Sequence, residues 1–142
     1  MKIRKIKKED YGELIQLWER AGLDYKQCGR DSKEHILKEL RANPDLFLVA
    51  EQDEKIIGSV LATYDGRKGW LNRVAVDPEF QGKGLAKKLC LEAENVLRKK
   101  GCIIFAMQIH DSNKRSKNMA KSLDYEERKD IIYFRKKDND DF

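Results

Sequence analysis

Apolar residues recur at helical spacing in three parts of the chain. The first part begins near Asp10 and ends at Gly22, the second ends before Pro44, and the third ends at Gly101. Glycine adopts the left-handed backbone angles that terminate helices, and proline disfavours a helical residue before it. A shorter, lysine-rich segment over residues 113–122 also has helical character. The pattern therefore predicts four helices.

Apolar runs of strand length lie between the predicted helices. They cover residues 3–6, 46–50, 56–64, 70–76, 102–109 and 125–136. The second and third runs flank a polar turn and predict an antiparallel hairpin. The run over 102–109 is almost continuously apolar, so it predicts a strand that is buried on both faces. The order of elements, β-α-α-β-β-β-α-β-α-β, indicates an α/β fold whose sheet is antiparallel early and parallel around the third helix.

Composition narrows the class of protein. The 142 residues suit one domain, assigned to residues 1–136, followed by a charged tail over 137–142 that we expect to be disordered. The net charge of +5 is modest and both signs are interleaved, so no nucleic-acid partner is predicted. Without a leader pattern or a run of membrane-spanning length, we expect a cytoplasmic protein with no membrane partner. The three cysteines lack metal-ligand spacing, so no metal site is predicted.

A glycine-containing turn follows the strand predicted to end at Val76. Gly82 and Gly84 allow the backbone to approach a ligand closely, and a helix begins directly after them. Free N–H groups and the helix dipole at such a point favour negative charge, which suits a pyrophosphate. A plain strand-to-helix connection is the alternative. The spacing matches neither the P-loop nor the dinucleotide fingerprint.

The segment Gln81-x-x-Gly84-x-Ala86 fits the signature of the GNAT acetyltransferases, and the chain resembles that superfamily over nearly its whole length. The resemblance implies an α/β fold in which about four helices flank a mixed central sheet of six to seven strands. It also implies acetyl-CoA as acetyl donor and a primary amine, on a small molecule or a protein N-terminus, as acceptor. Monomers and homodimers are both compatible with it.

The resemblance also implies a role for each residue near the signature. The strand edge at Val74 and Val76 would pair with the pantetheine arm, an N–H near Ala75 would polarise the thioester carbonyl, and the amides of the turn would bind the pyrophosphate. The full set of implied cofactor contacts is Val74, Ala75, Val76, Gln81, Gly82, Lys83, Gly84, Leu85, Ala86, Lys87 and Asn113.

Two departures from the family pattern concern proton transfer. Many relatives carry a tyrosine seven residues after the asparagine, and Ala120 stands there instead. Gln108 occupies a position at which a glutamate often assists in N-terminal acetyltransferases. His110, two residues further on, is therefore the expected group for proton transfer. An acetyl-CoA-binding module with weak or no catalysis is the alternative function.

Side chains outside the signature leave several interpretations open. Asp31, with Glu34 three residues later, predicts the N-cap of the second helix. Arg30 and Arg73 could bind a carboxylate or form salt bridges. Trp18 is expected in the core because of its helical spacing, although it could also line an acceptor pocket. The acceptor itself is not identified by any of these residues.

Overall fold

Five strands form one sheet in the computed structural model, which describes residues 1–142. The strands are β1 (Lys2–Lys5), β2 (Phe47–Gln52), β3 (Lys55–Tyr64), β4 (Gly69–Val76) and β5 (Phe105–Ala106). The helices are α1 (Tyr11–Arg20), α2 (Lys33–Ala42), α3 (Leu85–Lys99) and α4 (Lys114–Ser122). The strands lie in the order β1-β2-β3-β4-β5, antiparallel except for the parallel pair β4 and β5. The predicted α/β class and the β2–β3 hairpin are confirmed.

Helices α1 and α3 cover opposite faces of the sheet. Along β3, a Cβ on Gly58 would point at Leu89 of α3, whereas the hydroxyl of the next residue, Ser59, bonds to Trp18 of α1. Neighbouring strand residues point to opposite faces, so the two helices sandwich β3. Trp18 is fully buried, as the sequence predicted. The apolar faces of both helices belong to one core of 25 buried residues.

The start of α2 differs from the prediction. The N-cap is Ser32, whose Oγ accepts a hydrogen bond from the N–H of His35 at 3.1 Å. Asp31 precedes the cap and is buried, with only 3% of its surface exposed. Its carboxylate turns away from the helix because guanidinium groups and a backbone N–H compete for it. The capping assignment to Asp31 was therefore wrong by one residue.

The sheet has fewer strands than the six to seven expected. Only Phe105 and Ala106 of the run 102–109 pair with β4, and Ile103 is 84% exposed, so this run is not buried on both faces. β4 bulges within the next few residues, which ends the pairing. No strand forms over residues 125–136, because a two-residue β5 offers almost no ladder to pair with.

The chain after α4 is held by individual contacts. The hydroxyl of Tyr125 donates to Oε2 of Glu94 on α3 at 2.8 Å. Near the C-terminus the carbonyl oxygen of Asp141 accepts from the N–H of Arg30 at 3.0 Å, and the Phe142 ring meets that of His35 edge-on. The disorder expected of the tail stays a prediction. None of the helices has the length and apolarity needed to cross a bilayer.

Candidate functional site

β4 and β5 separate part-way along β4. The two strands pair through Gly69 with Phe105 and through Trp70 with Ala106, and nowhere else. Between Leu71 and Val76, β4 therefore has β3 on one side and an open edge on the other. An open edge offers N–H and C=O groups to any extended ligand that contains amides.

A β-bulge lies on this open stretch. Ser59 of β3 faces Ala75 and Leu61 faces Asn72, so one residue of β3 is opposed by both Arg73 and Val74. Arg73 has a φ of 54°, in the left-handed region that costs a non-glycine residue about 1–2 kcal/mol. A bulge bends its strand and increases the local twist. The bulge, three residues beyond Trp70, therefore accounts for the departure of β4 from β5.

The turn between β4 and α3 contains two glycines in left-handed conformations. Gly82 has a φ of 78° and Gly84 a φ of 80°. A Cβ on either would meet no atom within 4 Å, so glycine is needed here for its backbone angles and not for space. Gly84 is the N-cap of α3 and provides no capping side chain.

The backbone amides that follow this turn have no partner in the protein. The N–H groups from Gly82 to Lys87 donate to no acceptor of the chain, and the first helical bond around this point runs from Lys88 to the carbonyl oxygen of Gly84. Lys83, Lys87 and Lys88 are exposed at the same helix end. Free amides, a helix dipole and cationic side chains fit a pyrophosphate.

Asp77 holds the end of β4 in place. Its Oδ1 accepts from the N–H of Glu79 at 2.9 Å, and its Oδ2 lies 2.9 Å from Nε of Arg20 and 3.5 Å from Nζ of Lys55. Burial by itself would raise the pKa of this carboxyl, but these bonds and charges outweigh burial and lower the pKa. Asp77 is thus fully engaged as a structural acceptor.

Several side chains implied in cofactor binding make structural contacts of their own. Gln81 donates through Nε2 to the carbonyl oxygen of Val76 at 3.0 Å, and its Oε1 meets Arg115. Leu85 is buried, so only its amide faces the turn. Asn113 caps α4 by accepting from the N–H of Ser116 at 3.1 Å.

His110 and Asn113 follow β5 in the chain and precede the first turn of α4. β5 is the strand from which β4 separates after Trp70. His110 is exposed, and its carbonyl oxygen accepts from the N–H of Asn113 at 2.9 Å. Ala120 is buried on α4. The structure thus brings the strand edge and the glycine turn into one continuous segment, and the contact of Arg115 with Gln81 brings the start of α4 next to that turn.

The contacts among four residues near the site did not emerge from the sequence. The sequence left open whether Arg73 binds a carboxylate ligand or forms a salt bridge, and the structure shows a salt bridge with Asp31. Arg73, Asp31, Trp18 and Ser59 form a connected set of contacts around the bulge. The available signal was an arginine inside an otherwise apolar signature strand. Its partners are distant in sequence, so no spacing rule relates them.

One pocket on the surface lies away from this segment. It encloses about 430 Å³ and is lined by Arg30 and by residues 133–142. It shares no residue with the glycine turn or with the open edge of β4. The unpaired backbone groups, and not cavity size, therefore locate the candidate site.

Comparison with known proteins identifies the family of the chain. A sequence model of the acetyltransferase (GNAT) family matches residues 3–125. The chain belongs to this family. It is 36% identical over 128 residues to an acetyltransferase of Photorhabdus laumondii, an alignment that covers 90% of this chain and 88% of the relative.

Solved structures of the family share the fold. The PaiA N-acetyltransferase of Thermoplasma acidophilum in complex with coenzyme A superposes with a TM-score of 0.76 at 27% identity, over 86% of this chain and 87% of that one. An acetyltransferase of Clostridium acetobutylicum with acetyl-CoA gives a TM-score of 0.73 at 15% identity, over 94% and 95% of the two chains. The GNAT chain described here is an acetyltransferase, and its acetyl donor is acetyl-CoA.

Replacing Asp77 by asparagine tests the anchoring of β4. At pH 7 we expect Asp77→Asn to lower the free energy of unfolding by about 1–3 kcal/mol, because a buried, charge-assisted acceptor is lost. The pKa of Asp77 is lowered in the folded state, so its contribution is complete above the ordinary aspartate pKa and is lost as pH falls through and below it. Urea unfolding should therefore show a difference in the free energy of unfolding between the unaltered protein and Asp77→Asn, and this difference should decrease towards pH 3.

Glu79→Gln is the matched control for this change, because the side chain of Glu79 is exposed and only its N–H bonds to Asp77. It should unfold like the unaltered protein at both pH values. If Asp77→Asn lowers the free energy of unfolding by the same amount at all pH values, Asp77 does not act as a charged structural acceptor.

Proposed function

We propose that the protein is an N-acetyltransferase that moves an acetyl group from acetyl-CoA to a primary amine by direct attack. The acceptor would be a small molecule or a protein N-terminus. One observation carries the proposal: the open edge of β4 and the free amides of the glycine turn follow each other within residues 74–87. An extended ligand with amides at one end and a pyrophosphate at the other suits that order.

Different residues of this segment would bind different parts of acetyl-CoA. The free amides from Gly82 to Lys87 would bind the pyrophosphate, with Gln81 placed at the start of the turn. The edge at Val74 and Val76 would pair with the pantetheine amides, and an N–H at Ala75 would donate to the thioester carbonyl. Acetyl-CoA supplies an acyl group already activated for attack by an amine. The protein's contribution is to hold that group still and to exclude competing orientations.

Proton removal from the amine is assigned to His110. This side chain is exposed on the segment between β5 and α4, so solvent and an incoming amine can reach it. A neutral imidazole accepts a proton through one ring nitrogen, which is the chemistry that removal of a proton from the amine requires. Asn113, on the same segment, would hydrogen-bond the pantetheine arm.

A second function, binding of acetyl-CoA with little or no transfer, is favoured by the region around α4. The buried methyl group of Ala120 cannot protonate a departing thiolate. Gln108 cannot accept a proton as a glutamate would. Turnover with an amine distinguishes this function from the first.

Gly84→Ala tests the pyrophosphate turn. Alanine at a φ of 80° is strained by about 1–2 kcal/mol, so the turn should shift and acetyl-CoA should bind roughly tenfold more weakly. Calorimetric titration measures the dissociation constant. Gly66→Ala is the control, because Gly66 has a φ of 90°, has equal free space and lies in the β3–β4 turn. Equal affinities of the two variants for acetyl-CoA would contradict the assignment of this turn as the pyrophosphate site.

His110→Gln tests proton transfer. With acetyl-CoA and a panel of primary amines, we expect the rate of free thiol release at saturation to fall roughly 100-fold. The affinity for acetyl-CoA should not change, because His110 is not among the residues proposed to contact acetyl-CoA. His35→Gln, which alters the other histidine of the chain, is the control. A His110→Gln protein that turns over normally would remove the residue from the mechanism, and an unaltered protein that binds acetyl-CoA without turnover would favour the second function.

A further inference from the structure

The side chain of Arg73 leaves the strand at the bulge and reaches another element. Its Nη2 lies 2.6 Å from Oδ2 of Asp31, and its Nη1 donates to the carbonyl oxygen of Asp24. Both partners belong to the connection between α1 and α2, residues 21–32. Only 16% of the Arg73 side chain and 4% of the Asp31 side chain are exposed, so this ion pair is shielded from solvent.

Asp31 organises that connection. Its carboxylate accepts from the backbone N–H of Lys26 at 2.8 Å and from Nε of Arg30 at 3.1 Å. Its carbonyl oxygen accepts from the hydroxyl of Tyr11, on α1, at 2.7 Å. The connection is thus folded around one carboxylate, and Arg73 joins that carboxylate to β4.

The backbone of Arg73 is held by residues of β3 and α1. Its carbonyl oxygen accepts from Oγ of Ser59 at 2.8 Å, and the same Oγ accepts from Nε1 of Trp18 at 3.0 Å. The guanidinium carbon also lies 4.7 Å from the centre of the Trp18 ring, within the range of a cation–π contact. One buried indole therefore supports both the backbone and the side chain of Arg73. These contacts offset the unfavourable backbone angles of the bulge.

We propose that Arg73 is a positioning residue for acetyl transfer. It holds the bulge so that the open edge at Val74 and Ala75 keeps one conformation, and it ties this edge to the α1–α2 connection. The connection lies beside the open edge, because the bulge residue itself contacts positions 24 and 31, and an amine that reaches the edge passes next to it. This inference rests on the proposed function and adds a physical link between the acceptor side and the donor side of the site.

Hydrogen exchange of the protein alone tests this link. Arg73→Gly keeps the φ of 54° accessible and removes the anchor, so amide exchange should quicken roughly tenfold both at Val74–Ala75 and across residues 24–31. Asp31→Asn removes the charge in a different element and should quicken exchange at the same two places. Arg30→Ala is the matched control, because Arg30 pairs with the same carboxylate without reaching β4. Unchanged exchange at Val74–Ala75 in Asp31→Asn would overturn the link.

Kinetics separates positioning from cofactor binding. For Arg73→Gly we expect the rate of thiol release at saturating amine to fall between roughly tenfold and 100-fold. The acetyl-CoA dissociation constant should rise by much less than the rate falls, because the pyrophosphate turn is separate from the bulge and only the pantetheine contacts lie next to it. Arg73→Lys, which keeps the charge, should recover part of the rate. Affinity that weakens as much as the rate falls would show that Arg73 acts through binding and would overturn the proposal.

If the unaltered protein binds acetyl-CoA but transfers no acetyl group, the proposed function is wrong, whatever the role of Arg73. The exchange measurements need no acceptor, so in that case they alone decide whether Arg73 couples the two elements.

Discussion

The site depends on the separation of β4 from β5 beyond Trp70. A strand inside a sheet normally has its N–H and C=O groups paired with the strands on both sides. These groups can bind a ligand only where one adjacent strand is absent. The bulge at Arg73 bends β4 at that point, and β5 ends after two paired residues. The backbone of β4 is consequently available over the very residues that lead into the glycine turn.

The rest of the fold stabilises this opening against closure. Asp77 ties the end of β4 to Arg20 on α1, so the direction in which the chain enters the turn is set by the core. Gly82 and Gly84 then reverse the chain and provide no capping side chain for α3. The first amides of the helix are therefore available to a ligand. Pairing on one side and free backbone groups on the other produce a binding surface built mainly from main chain. Such a surface contacts a ligand through backbone groups, and side chains such as Asp77 and Arg73 act on it by fixing that backbone.

Much of this arrangement could be predicted from the sequence, because local rules govern it. Glycine spacing, the apolar stripe of α3 and the strand before it specify the turn without knowledge of the rest of the chain. The extent of β5 could not be predicted, since apolarity over residues 102–109 does not reveal that a bulge in β4 removes the pairing partner. Ile103, in the same run, precedes the residues of β5 that pair with β4 and is exposed.

The contacts of Arg73 and Asp31 show a different limit of sequence reasoning. Asp31 followed by Glu34 satisfies the pattern of a capping box, and Ser32 competes for the same role one position later. The charge of Asp31 decides the outcome, because a buried carboxylate is stable only beside cations and N–H donors. Arg73 provides such a cation from a strand that is distant along the chain. Pattern analysis within one element cannot identify a partner in another.

Amide hydrogen exchange with and without acetyl-CoA tests the central claim most directly, because the claim concerns backbone N–H groups. The account predicts that acetyl-CoA slows exchange in two places, the turn from Gly82 to Lys87 and the strand edge around Val74 to Val76. Slowed exchange around Arg30 and residues 133–142 instead, with the turn unaffected, would contradict it.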